Sequence, residues 1–119
     1  MPYTAVFEPT DLSRAQVDET RGPLVLEFGT NWCGWCQGAQ PQVQAAFDAA
    51  GTEVRHIKVE DGRGRPLGRS YGVKLWPTLI FLRDGHELAR FTRPQEAADV
   101  APMVRALQQI SAAADQQTQ

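Results

Sequence analysis

Cysteine is scarce in this chain of 119 residues, which contains only Cys33 and Cys36. A small secreted domain stabilised by disulfides needs more cysteines, spread along the chain, so that class of protein is excluded. A single pair spaced C-x-x-C, in a chain whose strands and helices alternate, indicates redox chemistry instead.

An excess of charge of either sign is also missing. Twelve Lys and Arg residues stand against 14 Asp and Glu residues, so the net charge is only -2. We therefore expect neither nucleic acid nor an anionic membrane as a partner. Arg63, Arg65 and Arg69 form a local basic cluster, which we interpret as a solvated loop face rather than an anion site.

Long apolar runs are absent as well. No stretch reaches the roughly 18 apolar residues of a membrane span. The first twenty residues contain four carboxylates and no apolar signal-peptide core. We expect a cytoplasmic protein, and an exported protein whose signal has been removed remains the alternative. The length predicts one domain, residues 1–114, followed by a frayed polar tail at 115–119.

Short apolar strands alternate with helices along the chain. The predicted strands are 4–7, 24–28, 54–59, 78–82 and 87–91, and the last two are joined by an Asp84-Gly85 hairpin turn. The first predicted helix is capped by Thr10 or Asp11, carries Leu12 and stops at Gly22. Three further helices are predicted at 34–50, 67–71 and 100–110, and Asp99 is the expected N-cap of the last. This order predicts an α/β fold with a mixed central sheet and helices on both faces.

The two cysteines lie where a buried strand, residues 24–28, gives way to the helix at 34–50. The unpaired N–H groups and the dipole at a helix N-terminus favour a thiolate, which is the nucleophile in disulfide exchange. Glu27 is the one charge in the buried strand. Because burial disfavours the ionised form, we predict a raised pKa for this carboxyl group.

The residues around the pair resemble the thioredoxin family, in register from Glu27 to Gly85. The matching features are the Trp32-Cys33-Gly34-x-Cys36 motif, Glu27 in place of a buried Asp, the helix-kinking Pro41, the buried Lys58, the Trp76-Pro77-Thr78 cis-proline segment and the hairpin Gly85. The resemblance implies a thioredoxin fold. It also implies that Cys33 is the more exposed thiol and attacks the substrate, whereas Cys36 resolves the mixed disulfide.

Further roles follow from the same resemblance. Glu27 is expected to accept the proton of Cys36 through water, and a structural ion pair with Lys58 is a compatible alternative. Pro77 is expected to be cis, to face the dithiol and to leave the backbone of Trp76 free to pair with an extended substrate. Trp35 and Trp76 are expected to lie near each other around the sulfurs. The substrate-binding candidates are Trp32, Gly34, Trp35, Trp76, Pro77 and Arg93.

Several positions depart from the pattern of thioredoxins proper. Trp35 replaces a proline between the cysteines, Gly29 replaces an active-site tryptophan, and Trp76 replaces a smaller aliphatic residue. The segment Thr92-Arg93-Pro94 replaces a small glycine-containing loop that helps to dock partners. These departures favour a selective reductase over a general one.

The predicted function is reduction of protein disulfides by a monomeric thiol:disulfide oxidoreductase, with thioredoxin reductase or a similar external reductant. The alternative is a redox-responsive binding module for one dedicated partner, with little turnover. A dedicated reductase in cofactor maturation or in an exported pathway is a further variant. No metal or organic cofactor is implied, because there is no second C-x-x-C and neither His56 nor His86 has ligand spacing to the pair. We interpret both histidines as structural or solvated.

Overall fold

The computed structural model of the chain describes residues 3–117. In chain order its elements are α1 (Arg14–Glu19), β1 (Pro23–Gly29), α2 (Gly34–Ala50), β2 (Arg55–Glu60), α3 (Pro66–Ser70), β3 (Thr78–Arg83), β4 (His86–Thr92) and α4 (Val100–Gln117), with a 3-10 turn at Ala97–Asp99 before the last helix. Helix α4 is longer than predicted, and positions 118 and 119 of the predicted tail lie outside the described residues.

One mixed sheet forms the centre of the fold, with strand order β2-β1-β3-β4. β1 is parallel to β2 and antiparallel to β3, which in turn pairs antiparallel with β4. β1 is buried along nearly its whole length, as expected for an apolar strand with neighbours on both sides. The predicted mixed sheet is therefore confirmed, and β1 carries the chain from the core to the two cysteines.

Alternate residues of the central strands pack into two apolar layers, one on each face of the sheet. Val25 and Phe81 pack with α2 and α4 on one face of the sheet. Leu26 and Ile80 pack with Val17 of α1 and the α3 region on the other face. This division follows from the two-residue period of a strand. Each side chain that is fully buried in these layers stabilises the fold by roughly 1.5–3 kcal/mol.

The strand predicted at 4–7 is wrong. This segment makes a single isolated bridge, between Glu8 and Val59. Side chains use the backbone N–H groups that a ladder would need, because Thr4 N donates to His56 Nδ1 at 2.8 Å and Phe7 N donates to Asn31 Oδ1 at 2.9 Å. The segment therefore lies beside β2, with Phe7 tied to Asn31 just after β1, and does not extend the sheet as a further strand.

The predicted N-caps of the first helix are also wrong. α1 begins after Ser13, whose side chain accepts from Gln16 N while the Gln16 side chain accepts from Ser13 N. This reciprocal capping box satisfies two donors that Thr10 or Asp11 would have left free. Thr10 and Leu12 lie before the helix, where Thr10 Oγ1 accepts from Leu12 N.

The helix after the cysteines matches its prediction from end to end. α2 spans Gly34–Ala50, contains Pro41 and ends at Gly51, whose φ of 65° is the left-handed conformation that glycine adopts readily. Before α4, Asp99 lies in the 3-10 turn, and its Oδ2 accepts from Glu96 N at 2.9 Å.

Candidate active site

Cys33 is the N-cap residue of α2, and its Sγ accepts from Cys36 N at 3.3 Å. Both cysteines are free thiols. Both residues are buried, but Cys33 is 8% exposed and Cys36 only 1% exposed, so Cys33 is the more accessible of the two. The Cys33 sulfur therefore accepts from one of the N–H groups at the start of α2 that have no partner within the helix.

The buried thiol has a strongly perturbed acidity. Burial, followed by the hydrogen bond with the Cys33 sulfur, raises the pKa of Cys36 to about 12, and a backbone hydrogen bond with Thr30 opposes the shift only in part. Cys36 is therefore protonated at neutral pH. It needs a proton acceptor before it can act as a nucleophile.

Phe7 and Gly29 enclose the buried sulfur. The Phe7 ring, only 4% exposed, packs against both cysteines. A Cβ added at Gly29 would lie 2.5 Å from Cys36 Sγ and 2.9 Å from Phe7 Cζ. The glycine that departs from the family pattern is thus required by the close approach of the thiol. Sequence reasoning did not find Phe7, because its segment was interpreted as an ordinary edge strand.

Glu27 is completely buried on β1 and is bonded through both carboxylate oxygens. Oε1 lies 2.9 Å from His56 Nε2, and Oε2 accepts from Gln40 Nε2 at 2.9 Å. Because His56 Nδ1 accepts from Thr4 N, the single N–H of the imidazole is at Nε2 and donates to Glu27. The interpretation of His56 as structural agrees with this arrangement, and sequence reasoning missed its link to the acid.

Lys58 does not form the predicted ion pair with Glu27. Its Nζ donates to Gln40 Oε1 at 2.6 Å and to Ala5 O at 2.9 Å, so Gln40 bridges the lysine and the acid. Burial lowers the pKa of Lys58, while the nearby Glu27 and Cys36 act in the opposite direction. Gln40 Nε2 also donates to Cys36 O at 2.8 Å, which ties this network to the first turn of α2.

A cavity of about 70 Å³ lies beside Cys36, and its lining includes Thr30, Gln40 and Lys58. Thr30 Oγ1 is buried in this wall and has no hydrogen-bond partner within the described part of the chain. This volume, with hydrogen-bonding groups of Thr30, Gln40 and Lys58 among its walls, suits a bound water molecule. The cavity therefore adjoins both Cys36 and Lys58.

Trp76 covers the dithiol from the segment before β3, and the peptide bond between Trp76 and Pro77 is cis. The indole N–H of Trp76 donates to Asp61 Oδ2 at 2.9 Å. Its ring meets Trp32 edge to face, with ring centroids 5.8 Å apart. Trp32 itself is 75% exposed, so the pair forms an apolar rim beside the more exposed sulfur.

Arg93 links the two tryptophans that were expected to lie near each other. Its Nε donates to Trp76 O at 2.8 Å, and its guanidinium lies 4.5 Å from the centroid of the Trp35 ring. The prediction that the Trp76 backbone is free is wrong for the carbonyl, because Arg93 occupies it. Arg93 N also donates to Pro77 O at 2.9 Å, so this contact is anchored by backbone as well as side chain.

The remaining motif residues lie at the start of α2. Gly34 is exposed, and a Cβ added there would meet nothing within 4 Å. Trp35 is 52% exposed, and its carbonyl accepts from Gln95 Nε2 at 2.9 Å. Among the described side chains, no group of three or more His, Cys, Asp or Glu residues could hold a metal ion. None of the described helices is long and apolar enough to cross a membrane.

A dithiol at the start of a helix, directly after the central strand of a mixed sheet and beneath a cis-proline segment, defines a thioredoxin-fold protein with a C-x-x-C site. The family model Thioredoxin matches residues 6–106, so the chain belongs to the thioredoxin family. The structure is similar to reduced thioredoxin 2 from Pseudomonas aeruginosa PAO1, with a TM-score of 0.79 and 46% identity, over 90% of this chain and 98% of that one.

Curated relatives include proteins of similar length and much longer ones. Thioredoxin-1 of Drosophila yakuba is 32% identical over 73 residues, which are 61% of this chain and 68% of the relative. Protein disulfide-isomerase A2 of Pongo abelii is 38% identical over 87 residues, which are 69% of this chain. The match spans only 17% of that isomerase, so it concerns one domain of a longer protein.

Proposed function

We propose that this chain is a thiol:disulfide oxidoreductase that reduces disulfides in protein substrates through Cys33 and Cys36. One observation carries the proposal: Cys33 is the N-cap of α2 and the more accessible of the two thiols, whereas Cys36 is almost fully buried with a pKa raised to about 12. Such an arrangement supports one attacking thiol and one that is held in reserve. Membership of the thioredoxin family supports the same chemistry.

The reaction proceeds in two exchanges. The Cys33 thiolate attacks one sulfur of the substrate disulfide, forming a mixed disulfide and expelling the first substrate thiolate. Cys36, after losing its proton, attacks Cys33 Sγ and expels the second substrate thiolate. Two electrons thereby pass to the substrate, and the chain is left with a Cys33–Cys36 disulfide.

Lys58 and Glu27 assist the second exchange. Lys58 lines the same cavity as Cys36, and burial lowers its pKa, so a larger fraction of this side chain than of an exposed lysine is the neutral amine that can accept the Cys36 proton through water. Glu27 is linked to Lys58 through Gln40, and its negative charge favours the protonated form that Lys58 takes after accepting the proton. Gln40 orients both groups toward the first turn of α2.

An external dithiol such as that of thioredoxin reductase restores the reduced pair, because the chain ends each turnover oxidised. We place the protein in the cytoplasm as a monomer, with residues 1–114 as its single domain. Contacts among Trp32, Trp35, Trp76 and Arg93 join the start of α2 to the cis-Pro77 segment. These five residues bind the substrate segment, with Gly34 allowing it to approach the start of α2.

The test is turnover of a protein disulfide, followed by thiol release, together with trapping of the intermediate. Cys36→Ser is expected to accumulate the substrate as a mixed disulfide on Cys33, because the resolving thiol is missing. Cys33→Ser is the matched control and is expected to trap nothing. No turnover by the unaltered protein, or equal trapping by both variants, would contradict the proposal.

A second candidate function is a redox-responsive binding module, and the exposure of Trp32 (75%) and Trp35 (52%) beside the dithiol favours it. Exposed aromatic rings often form protein interfaces. This candidate predicts a partner whose affinity changes when the pair is oxidised, with little turnover. Titration of the same protein substrate with the reduced and the oxidised chain distinguishes it from catalysis.

A further inference from the structure

We propose that the preferred substrates carry acidic residues beside their disulfide, and that Arg93 and a basic pocket next to Trp76 select them. This inference rests on the proposed function and specifies its substrate class. It concerns the surface around Cys33, whose charge differs from that of the chain as a whole.

The basic pocket is a depression of about 230 Å³ between α3 and the segment that precedes β3. Its lining contains three cations and one carboxylate, and the charged and aromatic members are Asp61, Arg65, Arg69, Lys74 and Trp76. The Asp61 carboxylate already accepts the indole N–H of Trp76. The pocket is therefore positively charged in a chain whose net charge is -2.

The cations of this pocket are not all neutralised by the protein. Arg65 forms an ion pair with Glu60, with Nη2 2.5 Å from Oε2. Within the described part of the chain, neither Arg69 nor Lys74 has an acidic partner, and both are exposed. The basic cluster identified in the sequence contained only arginines, and the fold adds Lys74 and Trp76 to two of them, Arg65 and Arg69. Two cations are thus available to a carboxylate that binds there.

Arg93 provides a second positive group at the same surface. Its φ of 52° lies in the left-handed region, which is uncommon for a residue other than glycine. Its guanidinium has five N–H donors, and only Nε is bonded to the carbonyl of Trp76. The remaining donors are arranged for bidentate binding of a carboxylate.

Trp76 connects the two positive sites. Its carbonyl accepts from Arg93, its indole lines the basic pocket, and the residue packs against the buried cluster of Phe7, Cys33 and Cys36. A substrate segment that presents its disulfide to Cys33 must therefore pass between cations. Acidic side chains in that segment are attracted by these charges, whereas lysines are repelled.

The bond between Arg93 and Trp76 adds a selection step. An extended substrate that pairs with the Trp76 carbonyl must first displace Arg93 Nε from it. A substrate carboxylate then gives the guanidinium a new charge-assisted partner, which offsets the lost hydrogen bond. A neutral or basic segment gives the displaced guanidinium no such partner. Substrates are therefore distinguished by the cost of breaking the Arg93 hydrogen bond as well as by attraction to the cations.

The experiment uses three synthetic peptides with the same intramolecular disulfide, differing only in whether two positions beside one cysteine are Glu, Gln or Lys. We measure kcat/KM for each with the full chain at low and high NaCl concentration. The Glu peptide is expected to exceed the Lys peptide about tenfold at low salt, since steering charges change association rates by that order. Added salt should reduce the ratio.

Two variants locate the effect. Arg93→Gly removes one charge and accepts the positive φ, and Arg69→Gln with Lys74→Gln removes two charges from exposed positions. Each is expected to reduce the preference for the Glu peptide. Arg21→Gln is the matched control, because Arg21 is exposed before the start of β1, at the opposite end of that strand from the cysteines. It should keep the full preference.

Equal rates with the three peptides, or a preference that both variants leave unchanged, would overturn the inference. Failure of the proposed function gives a different result, in which neither the peptides nor the small uncharged hydroxyethyl disulfide is reduced. Reduction of hydroxyethyl disulfide together with equal peptide rates would retain the oxidoreductase and remove only its preference for acidic substrates.

Discussion

The two sulfurs lie 3 residues apart in the chain but border two different environments. Beneath Cys36, Glu27, His56, Gln40 and Lys58 form a hydrogen-bonded network in which the acid and the lysine are both bonded. Above Cys33, aromatic rings and a guanidinium face solvent. The buried environment influences the pKa of the resolving thiol, Cys36. The exposed environment determines which substrate segments bind beside the attacking thiol, Cys33.

These environments also differ in what a substitution costs. A buried polar group that loses its partner costs about 1–3 kcal/mol, and a charged group costs more. Substitutions at the surface usually change stability by less than about 0.5 kcal/mol. We therefore expect the largest effects on folding below Cys36 and the smallest above Cys33, and the predictions below test that order.

The largest effect is expected for Glu27→Leu. The substitution deprives His56 Nε2 of its acceptor and Gln40 Nε2 of one of its two acceptors, and it removes the carboxylate that Lys58 faces through Gln40. Removing one member of a buried charged group typically costs about 3–5 kcal/mol. Urea unfolding of the reduced protein should show a loss of that size in the free energy of unfolding.

Glu27→Gln is the matched control for that measurement, because its side-chain oxygen still accepts a hydrogen bond. Its loss should be clearly smaller than that of Glu27→Leu. If both variants were as stable as the unaltered protein, the network would not stabilise the fold, and the contrast between the two sides of the dithiol would fail.

A smaller loss is expected for Gly29→Ala. The new Cβ would lie 2.5 Å from Cys36 Sγ and 2.9 Å from Phe7 Cζ, so the thiol and the ring must both move. Overpacking of this kind costs about 1–3 kcal/mol. Gly34→Ala is the control, since its Cβ would meet nothing within 4 Å, and it should leave the free energy of unfolding almost unchanged. Equal losses would contradict the crowding at Cys36.

The elements that hold this site could be predicted from the sequence because their signals are local. The apolar run of β1, the spacing of α2 and the terminal Gly51 each lie within one element, and both elements appear where predicted. The polar contacts of the site could not be predicted from the sequence, because the residues that form them are distant in the chain. Gln40 meets Lys58 across 18 positions, and Arg93 meets Trp76 across 17.

The N-terminal segment illustrates the same limit. Residues 4–7 have the composition of a short strand, yet their N–H groups are bonded to His56 and Asn31, and Phe7 packs on the cysteines. No pattern inside four residues reveals that a ring fills the space beside Gly29. The family resemblance identified Gly29 as a departure from the usual tryptophan. It did not indicate that the Phe7 ring and the Cys36 sulfur occupy the space beside this glycine.

A third prediction concerns pH. Because the folded pKa of Cys36 is raised to about 12, the folded state keeps this proton when the unfolded state loses it. The stabilisation is complete below the unfolded pKa of roughly 8.5 and is lost as pH rises toward the folded value. Its slope is at most about 1.4 kcal/mol per pH unit, the value for one proton. Unfolding of the reduced protein between those values should show the decline.

Cys36→Ala supplies the comparison for this pH dependence. Raised pKa values of Tyr3 and Tyr71 also alter stability at alkaline pH, but neither shift depends on Cys36, so both proteins share them. The pKa of Lys58 responds in part to Cys36, and its change in Cys36→Ala belongs to the effect of the thiol. The difference between the two curves therefore isolates the thiol. Parallel curves would mean that Cys36 titrates alike in both states, and the buried side would then not control its acidity.

The smallest effect is expected for Trp32→Ala. The ring is 75% exposed and its edge-to-face contact with Trp76 is the one aromatic pairing it makes in the described residues, so little apolar surface returns to water. An aromatic pair contributes about 0.5–1.5 kcal/mol beyond area burial, and exposure places this one at the lower end. Urea unfolding should therefore show a loss below about 1 kcal/mol. A loss as large as that of Glu27→Leu would mean that the rim above Cys33 stabilises the fold as the buried network does, and the division between a structural and a recognition side would be lost.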